Sequence, residues 1–468
     1  MSYMIKTRPN STAIQGAQWG DEGKAKFADK IAEEYVGKGL TCVDYSVSGG
    51  ANAGHRIEID QNNGQRISIN LHQLPSGVFN KNVYAILGNS KVINPQGLTY
   101  EIGKVKELSG GEIPSTIKVS ATATLALPTH QAFEFALKST KDIGKGATGQ
   151  GISPAYADRT LRQELYVKDL VEGNFGAFEK HYDYFSQIIS GLDLKMSEIL
   201  IPIFSDTKGG EKQLVGSKQD FISNLKKYRE FLLPYIEDVY DFVKQAWESP
   251  NKYAFLFEMS QGVGIHPVYG VKPDITASDP SFIGIDASTE GLVNHMEIEH
   301  RIGISKLYCS SVGARKLPTQ MPEDLANWYR DTFHEFGGTT GRPRDVAFPD
   351  LVATAFYAKV SHANEIAISH MDAIKPNTNI KLCTEYKLKS TGEKVDYRPY
   401  QWWADLVEPQ YQELPSWNTD KISAAKNYDE IPDEAKEYLK FLLEKTGCQP
   451  VLLGTGPERK QVIRVEKL

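Results

Sequence analysis

Gly16-Ala17-Gln18-Trp19-Gly20-Asp21-Glu22-Gly23-Lys24-Ala25-Lys26 follows a β-favouring run, Ser11 to Gln15, and leads into an apolar-periodic segment, Phe27 to Tyr35. Strand, glycine-rich turn and helix in that order point backbone N–H groups and a helix N-terminus at a phosphate. Gly16, Gly20 and Gly23 allow close approach of the backbone, and Lys24 adds a point charge. Six residues separate Gly16 from Gly23, where the common phosphate loop has four, and Ala25 occupies the place of the metal-binding Ser or Thr. An acid inside such a loop, Asp21, repels a phosphate unless it holds a metal or takes a proton. Taken alone, the run also fits a surface turn of mixed charge.

A second glycine-rich stretch, Ser48-Gly49-Gly50-Ala51-Asn52-Ala53-Gly54-His55-Arg56, again follows a β-favouring run, Cys42 to Val47. Leu74-Pro75-Ser76-Gly77 comes next, then Gly149-Gln150-Gly151-Ile152-Ser153-Pro154-Ala155-Tyr156 and Gly338-Thr339-Thr340-Gly341-Arg342-Pro343-Arg344. Val407-Glu408-Pro409-Gln410-Tyr411 with Pro415-Ser416-Trp417, and finally Gly454-Thr455-Gly456-Pro457, complete the series. In order and spacing these segments resemble the adenylosuccinate synthetase family, whose members join aspartate to IMP with hydrolysis of GTP. The resemblance runs from the first loop almost to the C-terminus.

The resemblance implies an α/β fold, with a predominantly parallel central sheet flanked by helices as in P-loop NTPases. It implies one unit over residues 1–468; within it, composition rich in helix formers and aromatics gives a helical insertion at about 175–247, and the strand pattern a C-terminal subdomain at about 379–468. It also assigns roles. The C6 oxygen of hypoxanthine leaves only once phosphorylated, and phosphorylation needs a base at N1. Asp21 is that base and a ligand of Mg2+. His55 sits near the transferred phosphoryl group and gives it a hydrogen bond or proton. Lys24 holds the donor phosphates with Gly20, Glu22, Gly23, Ala25 and Lys26. Gly54 offers a carbonyl to the magnesium, with Arg56 beside it, and Asn52 and Ala53 contact the purine nucleotide. The donor site continues through Arg344, His370, Asp372, Gly454, Thr455 and Gly456. Thr148, Gln261 and Thr276 resemble contacts to the purine monophosphate. Arg162 resembles an arginine that reaches the same phosphate across a homodimer interface. Read without the family, Arg162 is a surface charge and Thr276 a strand residue.

Aspartate requires a device for two carboxylates. Arg342 and Arg344 present planar forks suited to bidentate binding, just after a turn of Gly338, Thr339, Thr340 and Gly341. By resemblance Arg342 also touches the purine nucleotide. Without it the segment reads as a solvated polar loop.

The 468 residues carry a formal net charge of −6 with 40% hydrophobic and 24% charged residues, the composition of a soluble globular chain. No strongly basic stripe marks a nucleic-acid binder. Cys42, Cys309, Cys383 and Cys448 form no C-x-x-C pair and read as reduced, buried thiols. With no apolar run near the ~20 residues of a membrane helix, and no signal-like N-terminus, the expected location is the cytoplasm. Strands are expected at Val83–Leu87, Ile117–Val119, Tyr253–Phe257, Lys306–Cys309 and Glu365–Ile368. Helices are expected at Ala132–Lys138, Lys218–Trp247 and Leu351–Val360. A hairpin is expected at Ile380–Tyr386 and Glu393–Tyr397, and a last strand near Val451.

Three departures bear on substrate. Ile265 to Asp274 resembles the shorter archaeal and phage branches. The guanine-reading Lys-x-Asp of the family is His370-Met371-Asp372 here, so the stacking lysine stem is replaced. Phage relatives act on dGMP, and many lack the loop acid. Retention of Asp21 favours IMP and leaves dGMP, with ATP as donor, as the alternative. A nucleotide-binding homologue without ligase activity is the third reading.

Overall fold

The computed structural model describes residues 5–60, 66–141, 147–207, 210–313, 315–336 and 343–465. Ten strands form one central sheet: β1 Arg8–Gly16, β2 Thr41–Ser46, β3 Val83–Leu87, β4 Thr116–Ser120, β5 Ile236–Glu237, β6 Tyr253–Gly262, β7 Ile298–Lys306, β8 Glu365–Ser369, β9 Gln449–Gly454 and β10 Val462–Arg464. Their spatial order is β5-β4-β3-β2-β6-β1-β7-β8-β9-β10. Every neighbouring pair is parallel except β9 with β10.

β6 is covered on both faces, which is why Tyr253–Phe257 reads as an unbroken apolar run instead of an alternating one. Ala254, Phe255, Leu256 and Phe257 of β6 are fully buried. The helix Lys24–Gly37 sets Phe27, Ala28, Ile31, Ala32 and Tyr35 against Ile14, Leu256 and Ile304. That spacing of three and four is one helical face. Burying each of the larger side chains contributes about 1.5–3 kcal/mol.

Two expected elements are corrected. Lys218–Trp247 is not one helix: the helix Lys218–Leu232 ends in a short turn containing Pro234, the chain then adds β5 to the sheet edge, and Tyr240–Trp247 forms a second helix. Pro234 has no N–H to give and cannot continue the ladder, although the apolar period runs past it. The strand expected at Lys306–Cys309 instead ends at Lys306, having begun at Ile298. Its first half contains Glu299, His300 and Arg301, which masked it as a strand. The Arg301 guanidinium bonds the His362 carbonyl at 2.8 Å and the Ile298 carbonyl at 2.7 Å. Cys309–Ser311 belongs to a separate antiparallel ribbon with Asp345–Ala347.

Residues 175–247 carry the helices Phe175–Ser190 and Lys218–Leu232 with a hairpin, Leu200–Ile203 and Glu211–Leu214, between them. Beyond residue 379, Ile380–Leu388 pairs antiparallel with both Lys394–Val395 and Val407–Leu414. The strand expected near Val451 is β9, and the short β10 follows it.

The glycine loops leave the carboxyl ends of β1, β2 and β6, the side on which open α/β sheets bind ligands. β6 presses on the first loop. A Cβ on Gly262 would lie 2.5 Å from the Gln18 carbonyl oxygen and 2.6 Å from the Gly20 nitrogen. Gly262→Ala is therefore expected to lower stability by about 1–3 kcal/mol, the usual cost of overpacking. Urea unfolding measures this, and an unchanged midpoint contradicts the close approach.

Candidate active site

The first loop is folded around a buried carboxylate. Glu22 is fully buried, and its carboxylate accepts the Gly20 N–H at 2.8 Å, the Gln18 N–H at 3.3 Å and the Lys24 ammonium at 2.8 Å. Gly20, Asp21 and Gly23 all have positive φ, at 102°, 58° and 80°. Two of the three are glycines because L side chains avoid that region. Gly16 is required for a second reason: a Cβ there would stand 2.3 Å from the Glu22 carboxylate. The helix Lys24–Gly37 begins without a side-chain cap and without an acid in its first turn, so its leading N–H groups remain open to an anion.

Asp21 projects from this loop with its side chain 45% exposed and meets the Arg344 guanidinium at 2.8 Å. The other edge of Arg344 bonds Glu335 at 2.5 Å, and the Lys306 ammonium bonds the same carboxylate at 2.5 Å. Tyr308 donates its hydroxyl to Glu335 as well, and the Arg344 N–H bonds the Glu335 carbonyl at 2.9 Å. Burial alone would raise the Glu335 carboxyl, but Lys306 and Arg344 outweigh it and hold the group well below the usual range. Arg344 is thus fixed before anything binds to it. Glu335, Lys306 and Tyr308 escaped the sequence reading, because a glutamate ahead of a glycine-rich loop and a lysine ending an apolar strand are ordinary features.

The second loop leaves β2, and its Gly49–Gly50 pairs in parallel with Lys91–Val92. Asn52 accepts the Gly50 N–H at 3.3 Å. Gly54 is exposed and His55 half-buried at the start of the hairpin His55–Asp60 with Arg66–Leu71. Burial, followed by the charges of Lys24, Lys91 and His72, pushes His55 down to about 3. At neutral pH it is an imidazole able to give an N–H bond to a phosphoryl oxygen. Arg56 pairs with Glu58 at 2.9 Å and points to solvent.

A third group gathers at the ends of β8 and β9. His370, in the left-handed region at φ 58°, sets its ring edge-on to Tyr308 and Phe333 at 5.6 and 6.0 Å between centroids. Burial pushes it down to about 3, with Lys306 the next contributor. The carboxyl of Asp372 is raised by burial and lies within electrostatic reach of Lys26. Lys26 bonds the carbonyls of Gly456 and Gln461, the latter at 2.9 Å, and the Thr455 N–H bonds Gln461 at 3.0 Å. His370, Asp372, Lys26 and Gly454–Gly456 are therefore one site beside the first loop.

Gln261 and Thr276 also come together. The Ser278 hydroxyl donates to Gln261 at 2.8 Å and lies 3.2 Å from the Thr276 hydroxyl. Thr148 is half-buried ahead of Gly149 and Gly151, and the Gly151 N–H bonds Glu134 at 2.8 Å. Arg162 stands exposed at the end of the helix Ile152–Leu161. The expected aspartate residues Gly338, Thr339, Thr340, Gly341 and Arg342 lie outside the described residues.

Among the described residues, His130, Asp158 and His181 place three metal-ligand atoms within 4.8 Å. The Leu127 N–H donates to His130 Nδ1 at 3.0 Å, so Nε2 carries the proton and donates to Asp158 at 3.0 Å. A protonated Nε2 cannot ligate a metal, and the trio instead anchors the helix Ile152–Leu161.

The adenylosuccinate synthetase family profile matches residues 13–463. The adenylosuccinate synthetase of Clostridium botulinum (strain Eklund 17B / Type B) is 32% identical over 97% of this chain and 99% of that relative. That of Salinibacter ruber is 31% identical over 96% and 97%. The fully ligated adenylosuccinate synthetase of Plasmodium falciparum superposes with a TM-score of 0.83 at 27% identity, covering 98% of this chain and 100% of that one. The succinoaminodeoxyadenylate synthetase of cyanophage S-2L, solved with dGMP and dATP, gives a TM-score of 0.55 at 15% identity over 98% and 96%, a likeness of fold.

His370 generates a pH prediction. Folded, it stays neutral down to about 3, whereas unfolded it takes a proton near 6.5. Lowering the pH from 7 to 5 therefore charges the unfolded chain alone and favours unfolding. His370→Gln removes this term. Its stability relative to the parent is expected to rise by roughly 1–2 kcal/mol over that interval, measured by urea unfolding at both pH values. A pH-independent difference contradicts it.

Proposed function

The chain belongs to the adenylosuccinate synthetase family, and from that premise we propose the residue roles by which it ligates L-aspartate to IMP with hydrolysis of GTP. Asp21 takes the N1 proton of the hypoxanthine, so that charge builds on O6 and attacks the γ-phosphoryl group. The open N-terminus of the helix Lys24–Gly37, with Lys24, receives the phosphates, and neutral His55 donates its N–H to the oxygens in flight. The aspartate amine then displaces the phosphate from C6, releasing adenylosuccinate.

The observation that carries the reading is the Asp21–Arg344 pair at 2.8 Å, which sets a carboxylate base beside an arginine built to receive a carboxylate. A substrate carboxylate that takes the same edge of Arg344 competes with Asp21 and frees it to accept the proton. Arg342, with Gly338, Thr339, Thr340 and Gly341, is assigned to complete the clamp. Gln261, Thr276, Thr148, Asn52 and Ala53 hold the monophosphate. Exposed Arg162 reaches that phosphate in a second copy, making the active form a homodimer. The family uses a divalent metal, and here the Asp21 carboxylate and Gly54 carbonyl are oxygen donors of the kind Mg2+ takes. When bound, Mg2+ screens the charge of the phosphates. Asp372 accepts from guanine N1–H and its amino group, which adenine does not offer.

The reading is tested by mass spectrometry of products from IMP or dGMP with aspartate and GTP or ATP. Adenylosuccinate from IMP with GTP is expected, and a product from dGMP with ATP alone overturns the acceptor and donor assignments. Asp21→Ala is expected to lower turnover at least 10²–10⁴-fold, the usual range for a general base or more, in steady-state assays. Activity within a few-fold of the parent rejects the role. Arg344→Lys keeps the charge and loses the fork. It should raise the KM for aspartate and spare that for IMP, whereas equal losses for both rule out a dedicated clamp.

A further inference from the structure

Lys91 is buried to 1% exposure in the short strand Lys91–Ile93, behind the second glycine loop. Parallel pairing puts it directly across from Gly49, and Gly50 across from Val92. Among the described residues its ammonium has no hydrogen-bond or ion-pair partner. The two acids that act on it electrostatically, Glu101 and Glu258, are engaged elsewhere. Glu101 accepts the N–H groups of His72, Gln73 and Leu74 at 2.7–3.2 Å. Glu258 accepts the Ser76 N–H at 2.7 Å and its hydroxyl at 2.8 Å.

A buried, unpaired ammonium is costly, and an anion that arrives beside it would remove that cost. The neighbourhood points to that anion. Lys91 acts on His55 together with Lys24 of the first loop and His72. His72 itself has a buried, unpartnered Nδ1, and it lies 3.7 Å from where a Cβ on Gly54 would stand. Lys24, Lys91 and His72 thus act on the Gly54–His55 turn; Lys24 is already paired with Glu22, and no carboxylate lies at bonding distance from Lys91. Burial also pulls Lys91 down to about 8, opposed by Glu101 and Glu258. It therefore remains cationic in much of the population at pH 7, and a bound phosphate raises that share.

We propose that Lys91 is a further phosphate-binding residue, whose ammonium contacts the phosphoryl group as it passes from donor to acceptor beside His55. This rests on the ligase reading above and adds a cation to its transition state, where charge spreads over three equatorial oxygens. Its distinguishing mark is that stability and catalysis move apart. Removing an unpaired buried charge relieves the folded protein, whereas removing a structural lysine weakens it.

The test compares the parent with Lys91→Met and Lys91→Arg. Lys91→Met is expected to keep or raise the Tm of the protein without nucleotide and to lower turnover roughly 100-fold, with the KM for aspartate little changed. Lys91→Arg restores part of the turnover. Inorganic pyrophosphate should raise the Tm of the parent and not that of Lys91→Met. Turnover within about threefold of the parent, a lowered Tm in Lys91→Met, or an equal pyrophosphate shift in both proteins overturns the proposal. If the parent makes no succinyl nucleotide from any acceptor, the ligase reading fails by itself, and the pyrophosphate shift still decides the role of Lys91.

Discussion

The carboxylate of Glu22 is the constraint on which the site depends. A fully buried charge left unpaired costs several kcal/mol, about 3–5 where one partner of a buried pair is deleted. The first loop therefore has to wind so that Gly20, Gln18 and Lys24 all reach it. Two glycines distant in sequence follow from this one group: Gly16 and Gly262 both lack a Cβ where the Glu22 carboxylate lies. The Ser369 hydroxyl at the end of β8 bonds the Glu22 carbonyl at 2.8 Å. Strands β1, β6 and β8 are thus tied to a single turn, and Asp21 is carried on it in a fixed left-handed conformation.

Around that turn the charges are arranged in opposite ways at two places. Beside Arg344, acid and base are matched: Glu335 faces Lys306 and Arg344 in a dry pocket. Fixed geometry there suits recognition of a substrate carboxylate by shape. Beside His55 the balance differs: Lys24 is paired with Glu22, but the Lys91 ammonium has no carboxylate at bonding distance and the His72 Nδ1 has no partner. An unpaired charge inside a low-dielectric pocket attracts a strongly charged ligand of opposite sign and stabilises charge that develops on it. The proposed roles give the same loop ends two chemistries, an orienting one and a stabilising one.

What the sequence disclosed follows from where backbone and side chain carry the constraint. The glycine loops and the buried strands were legible because positive φ values and two-sided burial restrict residue type locally, as at Gly20 and Gly23 or along Tyr253–Phe257. The break at Pro234 was hidden by an apolar period that continues on both sides of it. The first half of β7 was hidden because His300 and Arg301 find Glu365 and the His362 carbonyl, 65 and 61 residues away, only in the folded chain. Lys91 and Glu335 gave no signal for a related reason. Their meaning lies in burial and in which partners are present or missing, and a linear pattern records neither. The roles proposed for Asp21, His55 and Arg344 rest on the family resemblance, since a loop acid, a loop histidine and a loop arginine are each common.

The two borders of the sheet have a consequence for behaviour at high concentration. A ten-stranded sheet ordinarily presents long rows of unpaired N–H and C=O groups at its margins, which template fibrous stacking between molecules. Here one border is the two-residue β5 and the other the three-residue antiparallel β10. Charged side chains accompany both: Glu237 pairs with Lys118, and Arg464 pairs with Glu34. Long inner strands, with 9 residues in β1 and 10 in β6, are kept from any template by borders too short and too charged to propagate. Both borders therefore offer a neighbouring molecule few backbone groups on which to pair.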